Sequence, residues 1–357
     1  MAKFQKESQN NYQGRKMPFS MILEKLDRYY RKSVTKLHDR KLAPLTDKEA
    51  KLAADFRKLF ENLPSVDTTN LSLPEKEWME NAVRLKHLFL NNEPRQFLRW
   101  HNVSALMSAK HASYVKPEFN YLKNHPDWDS RLSKAIKEVQ TGHPLPYYKY
   151  PQSSANLIHH AYHWVKFEKT TGLSVGDLST ILEFGGGYGS MCRLIRNLGF
   201  KGKYIIFDIP AFSLLQRFFF ESIKLEDNHN SPQTRTGEQG YAICTSDIEE
   251  LKNLLANNDQ KGISLFLATW SFSEAAIKVR NDILPITSSF DAFLIGYQYK
   301  FNKIDNIAFF KNWKESFGNI QWSEWDINHL PNNRYLFGTK EPKNIYSEHS
   351  SLKGFSQ

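Results

Sequence analysis

The sequence predicts an α/β fold: a doubly wound, mostly parallel seven-stranded sheet with an antiparallel C-terminal hairpin and a helical N-terminal region. Three observations carry that expectation. Strand-sized apolar runs alternate with helix-period segments after residue 180. A glycine-rich stretch, Gly185-Gly186-Gly187-Tyr188-Gly189, stands where the first strand meets the first helix. The segment Thr141–Pro151, with three prolines, divides this half from an upstream half of helical periodicity.

Residues 1–20 are polar, rich in Gln and Asn and poor in aliphatics, so disorder is expected there. From Phe19 the apolar positions Met21, Ile22, Leu26, Tyr29 and Tyr30 recur at helical spacing. A helix over Asp47–Phe60 is capped by Thr46, with Glu49 three residues on in the capping-box arrangement. Leu73-Pro74-Glu75 opens a third helix to about Asn91, with proline in its first turn. Glu93-Pro94 starts another through Trp100 towards Met107, and Asp127–Val139 reads the same way. Residues 141–170 are a connecting segment followed by a helix, capped by Ser153 or Ser154, that lies over the active site. The domain from 171 to 342 carries strands at Thr180–Phe184, Lys203–Phe207, Tyr241–Cys244, Ile263–Ala268 and Phe290–Tyr297. The segments Gly189–Leu198, Ala211–Ile223, Ile248–Asn257 and Glu274–Leu284 suit the connecting helices. Asn319–Ile327 and Arg334–Thr339, joined by the loop Asn328–Asn333, read as an antiparallel hairpin at the sheet edge, and residues 343–357 as a flexible tail.

Hydrophobic content of 40% with 14% aromatic residues fills a core of this size, which excludes wholesale disorder. The longest apolar runs, such as Tyr204–Phe207, fall far short of the roughly 20 residues of a spanning helix. No apolar stretch follows the charges of Met1–Lys6, and the two cysteines, Cys192 and Cys244, form no disulfide framework or metal-ligand spacing. A cytoplasmic location is the expectation. Residues 1–50 hold twelve Lys or Arg and six Asp or Glu, a net +6 out of the chain's +10. That excess reads either as a solvated helical face or as attraction to an anionic surface, lipid headgroups or a charged glycan, with peripheral contact at the inner face of the membrane. No nucleic-acid-binding module accompanies it. Oligomeric state is not legible.

The stretch from Glu183 to Gly189 follows an apolar strand and precedes the helix Met191-Cys192-Arg193-Leu194-Ile195. Glycines at 185, 187 and 189 let the backbone turn sharply and pass close to a flat ligand. The dinucleotide fingerprint G-x-G-x-x-G fails at its sixth position, which is Ser190, and no Lys-Ser or Lys-Thr pair completes a phosphate-binding P-loop. Asp208 ends the next strand about twenty residues on, where a carboxylate accepts hydrogen bonds from both ribose hydroxyls of an adenosine.

The spacing acid-x-G-x-G-x-G resembles the first motif of class I S-adenosylmethionine-dependent methyltransferases. That resemblance implies a Rossmann-like sheet, S-adenosylmethionine as cofactor, and a strand-end acid, Glu183, that orders the loop near the methionine end. It also implies an adenine-binding polar residue in Thr245-Ser246-Asp247, taken as Asp247, with Gly186 completing the bend. Over roughly residues 145–340 the chain is similar to a bacterial family of sugar O-methyltransferases, through Glu-Phe-Gly-Gly-Gly-Tyr-Gly, Phe-Asp-Ile-Pro, Leu215-Gln216, Ser271-Phe272-Ser273-Glu274 and Ser-Ser-Ala-Asn-Leu-Ile-His-His-Ala-Tyr. It implies methylation of a hydroxyl on a surface polysaccharide or its sugar precursor. The first 140 residues carry no such resemblance.

Methyl transfer to a sugar hydroxyl requires alignment of the acceptor oxygen and a base for its proton. Ligands of such sheets sit beyond the carboxyl ends of the strands. His329, in the hairpin loop, is the favoured base, with Glu274 and His160 as the other catalytic candidates. Trp270 is placed beside the cofactor; Ser271, Ser273, Gln298 and His159 are placed on the acceptor. His159 and His163 share a helix face at i,i+4, but no third ligand is evident and no metal is expected. A nicotinamide-dependent oxidoreductase and an inactive glycan-binding module are the alternatives on the same fold.

Overall fold

The computed structural model describes residues 19–65, 69–109, 113–230, 242–256 and 262–340. The disorder expected for the first 20 residues and the tail from 343 falls, but for Phe19 and Ser20, outside them.

The upstream half is helical: α1 (Phe19–Leu37), α2 (Asp47–Glu61), α3 (Leu73–Asn91), α4 (His101–Met107), α5 (Val115–Lys123) and a short α6 (Ser133–Ala135), with a 3₁₀ turn over Pro94–Arg99. The capping boxes are formed. Glu49 Oε2 accepts the Thr46 amide at 2.8 Å, and Glu75 Oε2 accepts the Ser72 amide at 2.9 Å. Two departures from the sequence reading stand out. The helix expected over Asp127–Val139 is a π turn, Trp128–Leu132, followed by α6 alone. The unexpected α5 has Pro117 in its first turn and buries Val115, Glu118, Phe119 and Leu122.

The proline-rich crossing forms a small ladder of β1 (Pro146–Tyr147) and β2 (Tyr150–Ser154). Helix α7 (Ala155–Thr171) follows, with Ser154 Oγ accepting the Leu157 amide at 3.1 Å and Gly172 ending it at φ +74°. Next come β3 (Leu178–Phe184), α8 (Ser190–Asn197), β4 (Lys203–Phe207), α9 (Pro210–Asn230), β5 (Ile243–Thr245), α10 (Ile248–Ala256) and β6 (Ile263–Thr269). The turn α11 (Ser271–Glu274), α12 (Ile277–Thr287), β7 (Ala292–Gln298), the ladder of β8 (Lys300–Phe301) with β9 (Ile304–Asp305), and α13 (Asn306–Glu315) lead to β10 (Ile320–Asp326) and β11 (Asn333–Lys340).

The seven long strands form one sheet in the order β10-β11-β7-β6-β3-β4-β5. All neighbours are parallel except at β11, which runs antiparallel to both β7 and β10. The expected fold class is therefore present, with one refinement. The last strand of the hairpin inserts inward against β7, and the earlier strand, β10, forms the edge. Burial explains it: β11 buries Tyr335, Leu336, Phe337 and Gly338, whereas β10 alternates with exposed residues.

Successive side chains along each strand enter opposite cores. Ile181, Leu265, Leu267 and Leu294 face α7, α8, α9 and the N-terminal helices. Leu182, Phe266, Ala268, Phe293 and Ile295 face the other core with Phe272, Ile283, Phe310 and Trp313. Strand β3 is buried along its whole length, as a central parallel strand covered on both faces must be. The N-terminal helices share the first core; Phe56 and Phe89 meet Phe218 of α9 at ring-centroid distances of 5.5 and 5.0 Å. Among the described residues no helix is long and apolar enough to cross a membrane.

Candidate active site

A cavity of about 770 Å³ opens beyond the carboxyl ends of β3, β4 and β6. Its floor is the bend after β3. Gly185, Gly187 and Gly189 all have positive φ, of +70°, +59° and +94°. What a side chain would meet differs along the bend. A Cβ on Gly185 would sit 2.4 Å from Ser271 Cβ, on Gly186 2.6 Å from Ile206 Cγ2, and on Gly189 2.5 Å from Phe220 Cζ. At Gly187 the nearest atom is Met107 Cγ, 3.9 Å away. Gly185 and Gly186 thus let the chain press against its own supports, while Gly187 offers bare backbone to the cavity. Gly189 is the N-cap of α8, packed beneath Phe220; it does not line the cavity as its grouping with the other glycines implied.

Asp208 stands opposite the bend, and Gln216 joins the two. Its Nε2 donates to Gly187 O at 3.1 Å and to Asp208 Oδ2 at 2.8 Å. With both amide protons so used, Gln216 Oε1 is left buried and without a partner among the described residues. Asp208 Oδ1 also accepts the Ile209 amide at 2.8 Å. Burial pushes the Asp208 carboxyl up to about 7, against the hydrogen bonds from Ile209, Gln216 and the loop amides that favour its anion. Glu183, buried at the end of β3, accepts the Tyr204 hydroxyl at 2.8 Å and is likewise pushed up to about 7 by burial. Backbone without side chains on one side and a half-buried carboxylate on the other suit a flat ligand bearing a diol. The apolar walls Phe184, Phe207 and Ile248 lie between the carboxyl ends of β3 and β4 and the start of α10. Asp247 is a correction: its Oδ1 accepts the amides of Glu249 and Glu250 at 2.7 and 2.9 Å and so caps α10, while Ser246 lines the cavity.

The turn after β6 forms another wall. Trp270 has φ +68° and ψ −38°, a strained conformation for a bulky residue that costs on the order of 1–3 kcal/mol. Four contacts hold it. Its amide donates to Gly296 O at 2.7 Å, its Nε1 to Asn333 Oδ1 at 2.5 Å, its carbonyl accepts Ser273 Oγ at 2.6 Å, and its ring stacks on His159 at 5.5 Å. The fully buried Arg280 clamps the turn through Ser273 O, Ala275 O and Asn306 Oδ1. Ser271 Oγ donates to Phe184 O, supporting the glycine bend. The one Ser273 hydroxyl proton is shared between Trp270 O and Gln298 Oε1, the latter 2.7 Å from Oγ, and Gln298 Nε2 donates to Glu274 Oε1 at 3.2 Å. Of these, Trp270, Ser271 and Glu274 line the cavity. Ser273 and Gln298 stand behind it, because their polar atoms are spent on one another, and are not acceptor contacts. Burial pushes the Glu274 carboxyl up to about 7, opposed by Gln298 and reinforced by the charge of Glu77.

Helix α7 supplies the polar end. His160 Nδ1 lies 2.7 Å from Ser190 Oγ, which also accepts Asn156 Nδ2 at 3.1 Å. Burial, then repulsion from His159, pushes His160 down to about 3. His163 is spent on the Tyr335 hydroxyl and is also held well below the ordinary histidine range by burial. His159 differs. Its Nδ1 lies 2.8 and 2.9 Å from the two carboxylate oxygens of Glu118, and it lines the cavity beside Tyr114 and Trp270. Glu118 is fully buried and its Oε1 also meets His329 Nε2 at 2.8 Å. Burial alone would raise the Glu118 carboxyl, but the charges and hydrogen bonds of His159 and His329 outweigh it and hold it below the usual carboxylate range. His329 reaches this cluster as expected of a hairpin-loop residue but is not among the cavity-lining residues; its ring lies edge-on to Tyr162. No group of three metal-binding side chains occurs among the described residues.

The roof comes from the N-terminal helices: Pro74, Glu75 and Trp78 of α3, and Ala105, Leu106 and Met107 of α4. None of these, nor Glu118, Asn156 or Ser190, was placed at the site from sequence. For Glu118 the available signal was the proline-led Lys116-Pro117-Glu118-Phe119; nothing in it distinguishes a buried carboxylate from a solvated one.

No family model and no curated protein matches this chain. Solved structures do. The Methanococcus jannaschii fibrillarin pre-rRNA processing protein is 15% identical, over 48% of this chain and 70% of its own, with a TM-score of 0.33. An O-methyltransferase family protein from Burkholderia thailandensis is 13% identical, over 92% of this chain and 100% of its own, at 0.34. The glycopeptide N-methyltransferase MtfA, complexed with sinefungin, is 10% identical, over 50% and 85%, at 0.34. Scores this low carry no functional inference.

Proposed function

We propose that the protein is an S-adenosylmethionine-dependent O-methyltransferase acting on a sugar hydroxyl of a bacterial surface polysaccharide or its precursor. One observation supports it above the others: the side-chain-free bend at Gly187, the half-buried Asp208 and His159, backed by the buried Glu118, border a single cavity. Gly185 to Gly187, Asp208 and Ser246 would hold the cofactor, which when bound supplies an electrophilic methyl group.

The acceptor hydroxyl is a weak acid, and its proton must leave as the new bond forms. Glu118, ionised and able only to accept, keeps a proton on Nδ1 of His159, whichever charge the ring carries. In the uncharged ring the lone pair then sits on Nε2, the atom available for the hydroxyl proton. Once protonated, His159 is stabilised by the same carboxylate, as in a catalytic triad. His160 and His163, both kept neutral, add no competing charge. Trp270 and Tyr114 present aromatic faces beside His159, suited to a sugar ring. The sugar as acceptor is supported by the sequence resemblance described above. The two cysteines, free of any disulfide, suit the reducing cytoplasm.

Calorimetry with S-adenosylmethionine and with NAD tests the cofactor; tight NAD binding with no response to the sulfonium compound would overturn the reading. Transfer of labelled methyl into a glycan fraction tests the acceptor. Cofactor binding without such transfer would leave an inactive binding module.

A further inference from the structure

We propose that the outward face of α1 docks on an anionic lipid bilayer. The helix sits on the body by its Arg31 and Thr35 edge, both buried, and by an edge contact between Tyr30 and Tyr148 with centroids 6.3 Å apart. Its following segment is tied down. Asp39 carboxylate oxygens accept Arg99 NH1 and NH2 at 2.9 and 2.5 Å, and Arg40 O lies 2.7 Å from His143 Nε2. The opposite face is apolar, bare at Leu26, Tyr29 and Leu37, which are 59%, 74% and 81% exposed, and bordered by Tyr30, 60% exposed and touching Tyr148 by its edge. At 100° per residue these four positions fall within a single arc of about 100°.

Charge selects the occupant. Lys25, Arg28, Lys32 and Lys36 are all exposed and occupy the adjacent arc, and Arg40 and Lys41 continue it beyond the helix. Residues 25–41 hold seven Lys or Arg against two Asp. A second protein chain would match the apolar arc but leave the flanking cations to be desolvated or paired. A bilayer matches both: acyl chains take the Leu and Tyr side chains, and anionic headgroups take the ammonium and guanidinium groups. Tyrosines at the boundary suit the headgroup level, with an apolar ring and a polar tip. This inference stands apart from the chemistry proposed for the cavity and its test does not use turnover.

The full chain is sedimented with vesicles of phosphatidylcholine alone and of phosphatidylcholine with an equal part of phosphatidylglycerol. Binding is expected to the second and not the first. Leu26→Ser, Tyr29→Ser and Leu37→Ser together should lower partitioning at least about tenfold, and so should Lys25→Glu, Arg28→Glu, Lys32→Glu and Lys36→Glu. All these positions are exposed, so the melting temperature should stay that of the parent; Tyr30 is spared because it packs on Tyr148. A parent that stays in the supernatant with anionic vesicles overturns the proposal. So does an apolar triple variant that binds as well as the parent, or a parent dimer that this variant dissociates while no vesicle binding occurs.

Discussion

His159 Nδ1 lies 2.8 Å from Glu118 Oε2, and His329 Nε2 lies 2.8 Å from Glu118 Oε1, so one buried carboxylate orients two imidazoles from distant parts of the chain. Of the three elements involved, α5 belongs to the N-terminal region, α7 precedes the sheet and the hairpin loop closes it. The N-terminal helices therefore contribute a carboxylate to this cluster as well as the roof of the cavity. Leaving Glu118 without both partners would bury an uncompensated charge, at a cost of about 3–5 kcal/mol.

His159→Ala should lower kcat by about 10²–10⁴-fold while the Kd for S-adenosylmethionine moves little. Glu118→Gln should also lower kcat, since an amide does not stabilise the imidazolium, and should alter the pH profile. His329→Ala should be milder than His159→Ala, because it removes a second partner of Glu118 and no group in the cavity wall. Methyl transfer measured for the three variants decides; a larger loss at His329 returns the role of base to that residue.

Cofactor affinity should depend on pH through Asp208. Ribose hydroxyls donate to the anion, and burial pushes this carboxyl up to about 7. Binding should therefore strengthen as pH rises from about 6 to 8, by up to about tenfold per unit below the pKa. Asp208→Asn should weaken binding by about tenfold or more and flatten the remaining dependence. Titration calorimetry across that range measures both; a slope unchanged in the variant would remove Asp208 from the site.

Much of this was legible in sequence because the signals are local. The bend at 185–189, Asp208 at a strand end and the capping boxes each follow from adjacent residues. The partner of His329 was hidden for a non-local reason. Its loop position was right, but the carboxylate that claims it, Glu118, lies 211 residues away in sequence. Asp247 was misread because a cap and a ligand contact share one residue type at a helix start. The inward seat of β11 was hidden because a hairpin signal does not say which strand is the inner one.

Two glycine substitutions separate binding from folding. Gly187→Ala meets no atom closer than 3.9 Å, so its cost is the left-handed backbone, about 1–2 kcal/mol, and a methyl group in the cavity. It should stay folded and lose at least about tenfold in cofactor affinity. At Gly202 an added Cβ would fall 2.1 Å from the Ser179 carbonyl oxygen, backbone against backbone. Gly202→Ala should therefore fail to fold or melt far lower. Thermal melts with and without S-adenosylmethionine distinguish the two; wild-type affinity in Gly187→Ala would mean that the cofactor lies elsewhere.

Glu274 offers a test with a defined sign. Burial pushes its carboxyl up to about 7, so the folded state prefers the protonated form while the unfolded chain ionises near the ordinary value of 4.5. The stability tied to this group is present below about pH 4.5 and is lost as pH rises to about 7. Glu274→Gln keeps a hydrogen-bonding group beside Gln298 and cannot ionise. Relative to the parent, the variant should gain stability between pH 5 and pH 8, on the order of 2 kcal/mol for a group half-buried in a cavity wall. Urea unfolding of both proteins at the two pH values reads the difference. If the parent and the variant lose stability in parallel, the carboxyl is ionised throughout, and Glu274 becomes a stronger candidate for the proton acceptor than His159. Methyl transfer retained in the same variant would keep that role on α7.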